Sequence, residues 1–308
     1  MQEVVLIGLG NIGMGYDLSS SGILLEQTMS HLKALTNSEV FSVCGVMDTD
    51  YSKLILAEKF YSVEAVSDLT EIQPKNEIGL LTIATSTHTH LEVLKSLPQN
   101  LIPQILLVEK PAGASSRECY QIAQWANSNS ILIFVNYFRR YLPKVKDARD
   151  FVAGLNLGRL ISVSINSYGS LINIFSHFMD LGLTVSSAHL FCSCPKSNYK
   201  KTESGLLLEC TNCGVRYLFY GIGLERITSK SKICFENFHI EIDSDGMVIL
   251  ISKPNGDKLV CFQTSENDYV NYQQFVYSAI LRYSTDTQYL AGMSQAIEIH
   301  EFIESLRN

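Results

Sequence analysis

Gly8, Gly10 and Gly13 stand in the spacing Gly-x-Gly-x-x-Gly, directly after the apolar run Val4-Val5-Leu6-Ile7. Such a run reads as a buried parallel strand. Three glycines at this spacing serve a tight turn, a close approach of backbone to a pyrophosphate, and close packing of the following helix on the strand. The first amides of that helix are then expected to face the phosphates. Gly8, Gly10, Asn11, Ile12 and Gly13 are therefore predicted to hold a dinucleotide. A second strand-like run, 40–47, ends at Asp48. A carboxylate in that place can accept hydrogen bonds from the 2′- and 3′-hydroxyls of a ribose. Asp48 lies 48 − 13 = 35 residues beyond Gly13, against the usual ~20. The polar stretch 14–22 accounts for part of the excess. Asp48 and Asp50 together repel a 2′-phosphate, which favours NAD over NADP.

These groups need a frame that brings them to one edge. Runs 63–66, 78–85, 105–108 and 131–135 read as further strands, and 24–35, 53–60, 91–96 and 115–125 as helices. Strands alternating with helices argue for a parallel, doubly wound sheet, so the fold class is α/β. Ligands of such sheets bind beyond the carboxyl ends of the strands. The glycine loop, Asp48, the loop Thr85-Ser86-Thr87-His88-Thr89-His90 and Glu109-Lys110-Pro111 all fall at such ends. After about residue 136 the pattern changes. A helix to 152, a strand 159–168 and a helix 172–187 lead into β-like runs at 205–209, 215–220, 233–235, 239–242, 247–251 and 258–263. Helices 269–283 and 293–306 close the chain. Strands in direct succession predict an α+β second domain with a large, mostly antiparallel open sheet. One face of it would be covered by helices and the other free to meet a partner subunit. The expected domains are 1–135 for dinucleotide binding and 136–308 for substrate binding and oligomerisation.

The chain of 308 residues exceeds what one core usually supports, consistent with two domains. Its net charge of −7 and the lack of any Lys/Arg-rich run argue against nucleic-acid or anionic-membrane partners. No apolar run reaches the ~18–20 residues needed to cross a bilayer. The first strand leaves no room for a signal peptide, so a cytoplasmic protein is expected. Eight cysteines in such a chain read as free thiols. Cys192, Cys194, Cys210 and Cys213 superficially fit a structural zinc site, but Cys-x-Cys is not the usual half of one, and no metal is predicted.

Several separated motifs agree with one family. Gly8-Leu9-Gly10-Asn11-Ile12-Gly13, Asp48, Ala84 to His90, Val108-Glu109-Lys110-Pro111, Asn136-Tyr137-Phe138-Arg139-Arg140 and Ser176-His177-Phe178-Met179-Asp180-Leu181 resemble the glucose–fructose oxidoreductase/inositol dehydrogenase (Gfo/Idh/MocA) family. The resemblance covers residues 4 to about 185. It implies a Rossmann domain and a mixed domain with a large open sheet through which subunits associate. It also implies oxidation of a secondary alcohol of a sugar, cyclitol or sugar derivative with NAD(P). Such a reaction needs a base for the hydroxyl proton and a cation or donor for the developing alkoxide. The resemblance assigns this work to Lys110, in a turn whose Lys–Pro bond is often cis, and to His177 as the base. Thr85, Ser86, His90 and Glu109 would join Lys110 on the cofactor side. Arg140 and Tyr168 would line the substrate pocket. The family places an Asp four residues before the histidine, and here that position is Asn173. An amide can hydrogen-bond a sugar hydroxyl but cannot support an imidazolium. Asp180 reads as a structural hydrogen-bond partner. Asn173 keeps a second reading open: a nicotinamide-nucleotide-binding sensor or assembly protein with little catalysis.

Overall fold

A computed structural model describes residues 1–18, 24–169, 176–188, 198–202, 205–209, 214–222, 229–243, 247–282 and 292–305. The chain divides into two compact units. The first comprises Met1–Phe138 and Val270–Ile297, the second Arg139–Tyr269 and Glu298–Asn308.

In the first unit, β1 (Gln2–Ile7), β2 (Phe41–Met47), β3 (Ala65–Val66), β4 (Ile78–Ile83), β5 (Ile105–Glu109) and β6 (Leu132–Asn136) form one sheet in the order β3-β2-β1-β4-β5-β6. All its pairings are parallel. Val4 to Ile7 and Leu106 to Val108 are buried without interruption, because both faces of a parallel sheet are covered. The helices are α1 (His31–Thr36), α2 (Tyr51–Tyr61), α3 (His90–Lys95) and α4 (Ser116–Ser128). Strand order reverses at β1, whose neighbours are β2 and β4, so the crevice that binds ligands in such sheets lies beyond these strand ends.

The helix predicted over 24–35 is shorter than expected: it begins only at His31. The buried Asp17 explains this. Its carboxylate accepts the amides of Met29 at 2.8 Å and Ser30 at 2.7 Å, and its carbonyl accepts the Leu25 amide at 2.7 Å. Backbone donors tied to a preceding turn cannot enter a helical ladder. Ser30 then caps α1.

The second unit adds α5 (Pro143–Ala153), β7 (Leu160–Gly169), α6 (Ser176–Ser186), β8 (Asn198–Thr202), β9 (Gly205–Glu209), β10 (Arg216–Ile222), β11 (Lys230–Phe235), β12 (His239–Asp243), β13 (Val248–Ser252), β14 (Lys258–Gln263) and α7 (Glu266–Val270). Its sheet runs β14-β13-β12-β11-β7-β10-β9-β8. It is antiparallel except where β10 meets β7. The expected class therefore holds: a doubly wound parallel sheet and a large, mostly antiparallel one. β8 had no sequence signal; its polar Asn-Tyr-Lys-Lys-Thr lies at the sheet edge, where charge is common.

The boundary drawn at 135/136 needs correcting, because the chain returns to the first unit. α8 (Tyr272–Leu281) packs on α1, and the Asn271 side chain accepts the Thr28 amide at 2.8 Å. Tyr277 is buried with its ring edge-on to His31 and Phe41. α9 (Met293–Ser305) follows. Among the described residues no helix is long and apolar enough to cross a membrane.

Candidate functional site

A cleft of about 550 Å³ opens at the carboxyl ends of β1, β2 and β4. Gly8, Gly10, Asn11 and Ile12 line it from the glycine loop, Asp48 and Thr49 from the end of β2, and Thr85, Ser86 and Thr89 from the loop after β4. Seven of the predicted cofactor residues thus come together: Gly8, Gly10, Asn11, Ile12, Asp48, Thr85 and Ser86.

The three glycines have three separate causes. Gly8 sits at φ +100°, and a Cβ there would lie 2.6 Å from the carbonyl carbon of Ala84. A Cβ on Gly13 would collide with the Gly8 carbonyl oxygen, so Gly13 lets the loop fold back on the strand rather than facing the cleft. A Cβ on Gly10 would meet nothing within 4 Å. That glycine keeps a space in the cleft that a side chain would fill, and a pyrophosphate needs such a space to approach the backbone. The residues present therefore fit a dinucleotide.

One expectation about the loop fails. The amides of His31 and Leu32 donate to the carbonyls of Ile12 at 3.0 Å and Gly13 at 2.9 Å. The start of α1 is closed by the glycine turn and offers these donors to no ligand. The amides of Met14 and Gly15 likewise return to Gly10 O, at 2.9 and 3.0 Å.

Asp48 is buried at the end of β2. Its Oδ2 accepts the Leu9 amide at 2.6 Å and its Oδ1 the Asp50 amide at 2.9 Å. It pins the glycine loop to the end of β2. Lys53, which the sequence reading missed, also lines the cleft, with Nζ 3.4 Å from both Asp48 oxygens and 3.9 Å from Asp50 Oδ2. Its signal was local: five residues after Asp48 and three after Asp50, on the first turn of α2. Asp50 caps that helix by accepting the Ser52 amide and hydroxyl, which hold its carboxyl below the usual range. Tyr16 and Val93 are further lining residues without a sequence signal.

His90 is not at the cleft. It is fully buried, with Nδ1 3.0 Å from Ala112 O and Nε2 3.1 Å from Thr85 O. It ties the loop after β4 to the segment after Pro111. Glu109 also turns inward: Oε1 accepts from His31 Nε2 at 2.9 Å and Asn136 Nδ2 at 2.5 Å. Lys110 follows it, half-buried, and the Lys110–Pro111 bond is cis.

In the second unit, His177 is buried in the first turn of α6. Arg140 is paired: its guanidinium donates to both Asp180 oxygens, with Nε to Oδ2 at 3.2 Å, and both side chains are almost wholly buried. Burial pushes the Asp180 carboxyl up to about 6, against the pull of the guanidinium. Asp180 is the structural partner expected, and Arg140 a member of that pair rather than a free substrate cation. Tyr168 lies in β7, and its side chain is not described. Asn173, Cys192, Cys194, Cys210 and Cys213 lie outside the described residues. Cys44, Cys234 and Cys261 are free thiols.

Glycine loop, acidic strand end and switch-point cleft together define a dinucleotide-binding protein of Rossmann type. Comparison with known proteins narrows the class. Residues 3–137 match the family described as "Oxidoreductase family, NAD-binding Rossmann fold". The rhizopine catabolism protein MocA of Rhizobium meliloti is 29% identical over 136 residues, which cover 44% of this chain and 41% of that protein. Among solved structures, a dehydrogenase (MviM) from Clostridium difficile is 16% identical with a TM-score of 0.70, covering 100% of this chain and 99% of its own. A super-repressor mutant of Gal80p from Saccharomyces cerevisiae is 16% identical with a TM-score of 0.73, covering 99% and 95%. KijD10, a 3-ketoreductase from Actinomadura kijaniata in complex with TDP-benzene and NADP, is 12% identical with a TM-score of 0.68, covering 100% and 97%. At such identities these structures speak for the fold. Residues 3–137 are thus similar to the NAD-binding Rossmann domain of the Gfo/Idh/MocA oxidoreductases, and the match spans less than half the length of the curated relative.

Proposed function

We propose that the protein is an NAD-dependent oxidoreductase moving a hydride between nicotinamide and a secondary alcohol of a sugar, cyclitol or sugar derivative. The observation that carries this reading is the cleft at β1, β2 and β4, whose lining opens at Gly10 and ends on Asp48. Bound there, the nicotinamide ring supplies the acceptor or donor of the hydride. The chain's own residues supply the rest. The glycine loop gives backbone close to the pyrophosphate, and Asp48 and Thr49 take the ribose end. Asp48 and Asp50 against one Lys53 leave that end net negative, which supports NAD over NADP. Lys110 holds the reacting hydroxyl and His177 takes its proton, as the family resemblance implies; an imidazole suits that task near neutral pH. Asn173 stands where the family carries an acid and bonds a substrate hydroxyl.

Titration with NADH and NADPH, then turnover on a panel of polyols, cyclitols and nucleotide sugars, tests this. NADH binding with reduction of NAD by one substrate class is expected, together with large losses of turnover in Lys110→Ala and His177→Ala. Near-full turnover in either variant would sink the assignment. Binding of NADH without turnover on any compound would favour the second reading, a nucleotide-binding sensor or assembly protein. Asn173 is the specific observation for it, and one protein of the same fold is a repressor by name. A cytoplasmic location and self-association through the second unit's sheet belong to the same proposal. One face of β11 and β12 is buried and the other half-exposed or exposed, which leaves a face for a second copy. Sedimentation velocity measures that association.

A further inference from the structure

Glu109 ends β5 almost wholly out of water. A carboxylate at that depth must be met by donors or take up a proton. Three donors reach it: His31 Nε2 at 2.9 Å and Asn136 Nδ2 at 2.5 Å on Oε1, and the Lys110 amide at 3.2 Å on Oε2. His31 is itself fully buried. Its Nδ1 lies 2.8 Å from the Tyr277 hydroxyl, which lies 3.1 Å from Thr82 Oγ1. One hydrogen-bonded row therefore runs from β4 through α8 and α1 to the ends of β5 and β6, and none of its members lines the cleft.

The row constrains protons. With Glu109 charged, Nε2 of His31 must carry a hydrogen. Nδ1 can then accept from Tyr277, or in the imidazolium donate to it while Tyr277 donates to Thr82. Both arrangements keep every bond, so His31 can gain a charge without losing a partner. The titratable groups facing Glu109 are His31 from α1, Tyr277 from α8 and Lys110 next along the chain. Burial pushes the Glu109 carboxyl up, but the His31 bond and charge, the Asn136 bond and the Lys110 charge outweigh it and hold it low. Burial pushes the Tyr277 hydroxyl far up, so it stays neutral.

We propose that His31 is a positioning residue: it keeps Glu109 in place and charged against the Lys110 amide, and so fixes the Glu109–Lys110–Pro111 turn and the negative charge beside the Lys110 ammonium. That Lys110 then serves a reacting hydroxyl rests on the function proposed above; the tie from His31 to Glu109 does not.

The test uses the full chain as wild type, His31→Gln, His31→Phe and Glu109→Gln. Infrared difference spectra against Glu109→Gln show whether Glu109 is protonated. Wild type at neutral pH is expected to lack the protonated-carboxyl band, and His31→Phe to gain it. Acetic anhydride labelling, read by peptide mass spectrometry, follows the Lys110 amine. Its labelling at mildly basic pH is expected to rise about threefold or more in His31→Phe and Glu109→Gln, because a neighbouring negative charge is gone. His31→Gln keeps a donor but cannot carry charge. The pH at which its Glu109 band appears on acidification is expected to lie about half a unit or more above that of wild type. A merely structural histidine moves neither readout. No protonated band in His31→Phe, or unchanged Lys110 labelling in Glu109→Gln, overturns the proposal. Should His31→Phe fail to fold, an unchanged acidification midpoint in His31→Gln does the same. Full turnover in Lys110→Ala with these readouts as expected would remove the assigned reaction and leave the His31–Glu109 tie standing.

Discussion

Replacing Gly10 by alanine and Gly8 by alanine separates binding from folding within one loop. At Gly8 the new methyl meets the Ala84 carbonyl carbon at 2.6 Å on a backbone held at φ +100°. Strain at such a φ costs about 1–3 kcal/mol. Overpacking against backbone that cannot step aside costs about 1–3 kcal/mol more. The two together come to roughly 2–6 kcal/mol. At about 2–4 °C per kcal/mol for a unit of this size, Tm falls by roughly 4 °C at the least. At Gly10 the methyl meets nothing within 4 Å, and no left-handed backbone is required. Stability should then stay within about 1 kcal/mol of wild type, with a small gain from a less flexible unfolded chain. The same methyl intrudes on the space for the pyrophosphate, so NADH affinity should fall at least tenfold, about 1.4 kcal/mol. Thermal unfolding followed by circular dichroism and calorimetric titration with NADH give the two numbers for each variant. A Gly10→Ala protein that binds NADH as tightly as wild type refutes the placement of the pyrophosphate. A Gly8→Ala protein as stable as wild type refutes the account of the loop.

Asp48→Asn keeps an acceptor for the Leu9 amide but removes the charge that Lys53 faces, so the ratio of NADH to NADPH affinity should shift toward NADPH by about tenfold or more in paired titrations. Glu109 has a folded pKa held below its ordinary 4.5. The unfolded chain therefore binds more protons, and the stability Glu109 contributes is complete above about pH 4.5 and lost as acid titrates the folded carboxylate. Glu109→Gln should be less stable near neutrality yet lose less on acidification in denaturant titrations; parallel losses in both proteins would rule this out. Arg140→Ala strands the Asp180 carboxyl in the interior and should cost about 3–5 kcal/mol in chemical denaturation, whereas replacing both partners by apolar residues of similar volume should cost far less.

The apolar runs at 4–7, 78–83 and 105–108 could be read directly, because a strand buried on both faces carries its environment in its composition. The glycine spacing and the acid at the end of β2 were equally plain, since each answers to a local backbone or charge requirement. The pattern places Glu109 at the end of β5 and His90 where the loop after β4 enters α3, but not the direction either side chain takes. Whether such a side chain faces a ligand or the interior depends on partners such as Ala112, His31 and Asn136, which come from elsewhere in the chain. Lys53 carries no such plain signal because a lone lysine on a helix usually marks a solvated face, and it is the start of α2 directly after the Asp50 cap that brings it to the cleft.

By itself the sequence determined a parallel Rossmann-type sheet followed by a mainly antiparallel one, and the glycine loop that lines the cleft. These depend on periodicity and on glycine and carboxylate chemistry within a few residues. Tertiary structure alone decided that α1 starts late under the hold of Asp17, that its first amides close on the glycine turn, that α8 returns to the first unit, and that His31 and Tyr277 stand behind Glu109. Each is a hydrogen bond or packing contact between residues distant in the chain, and no local pattern records which distant partner a buried polar group will find.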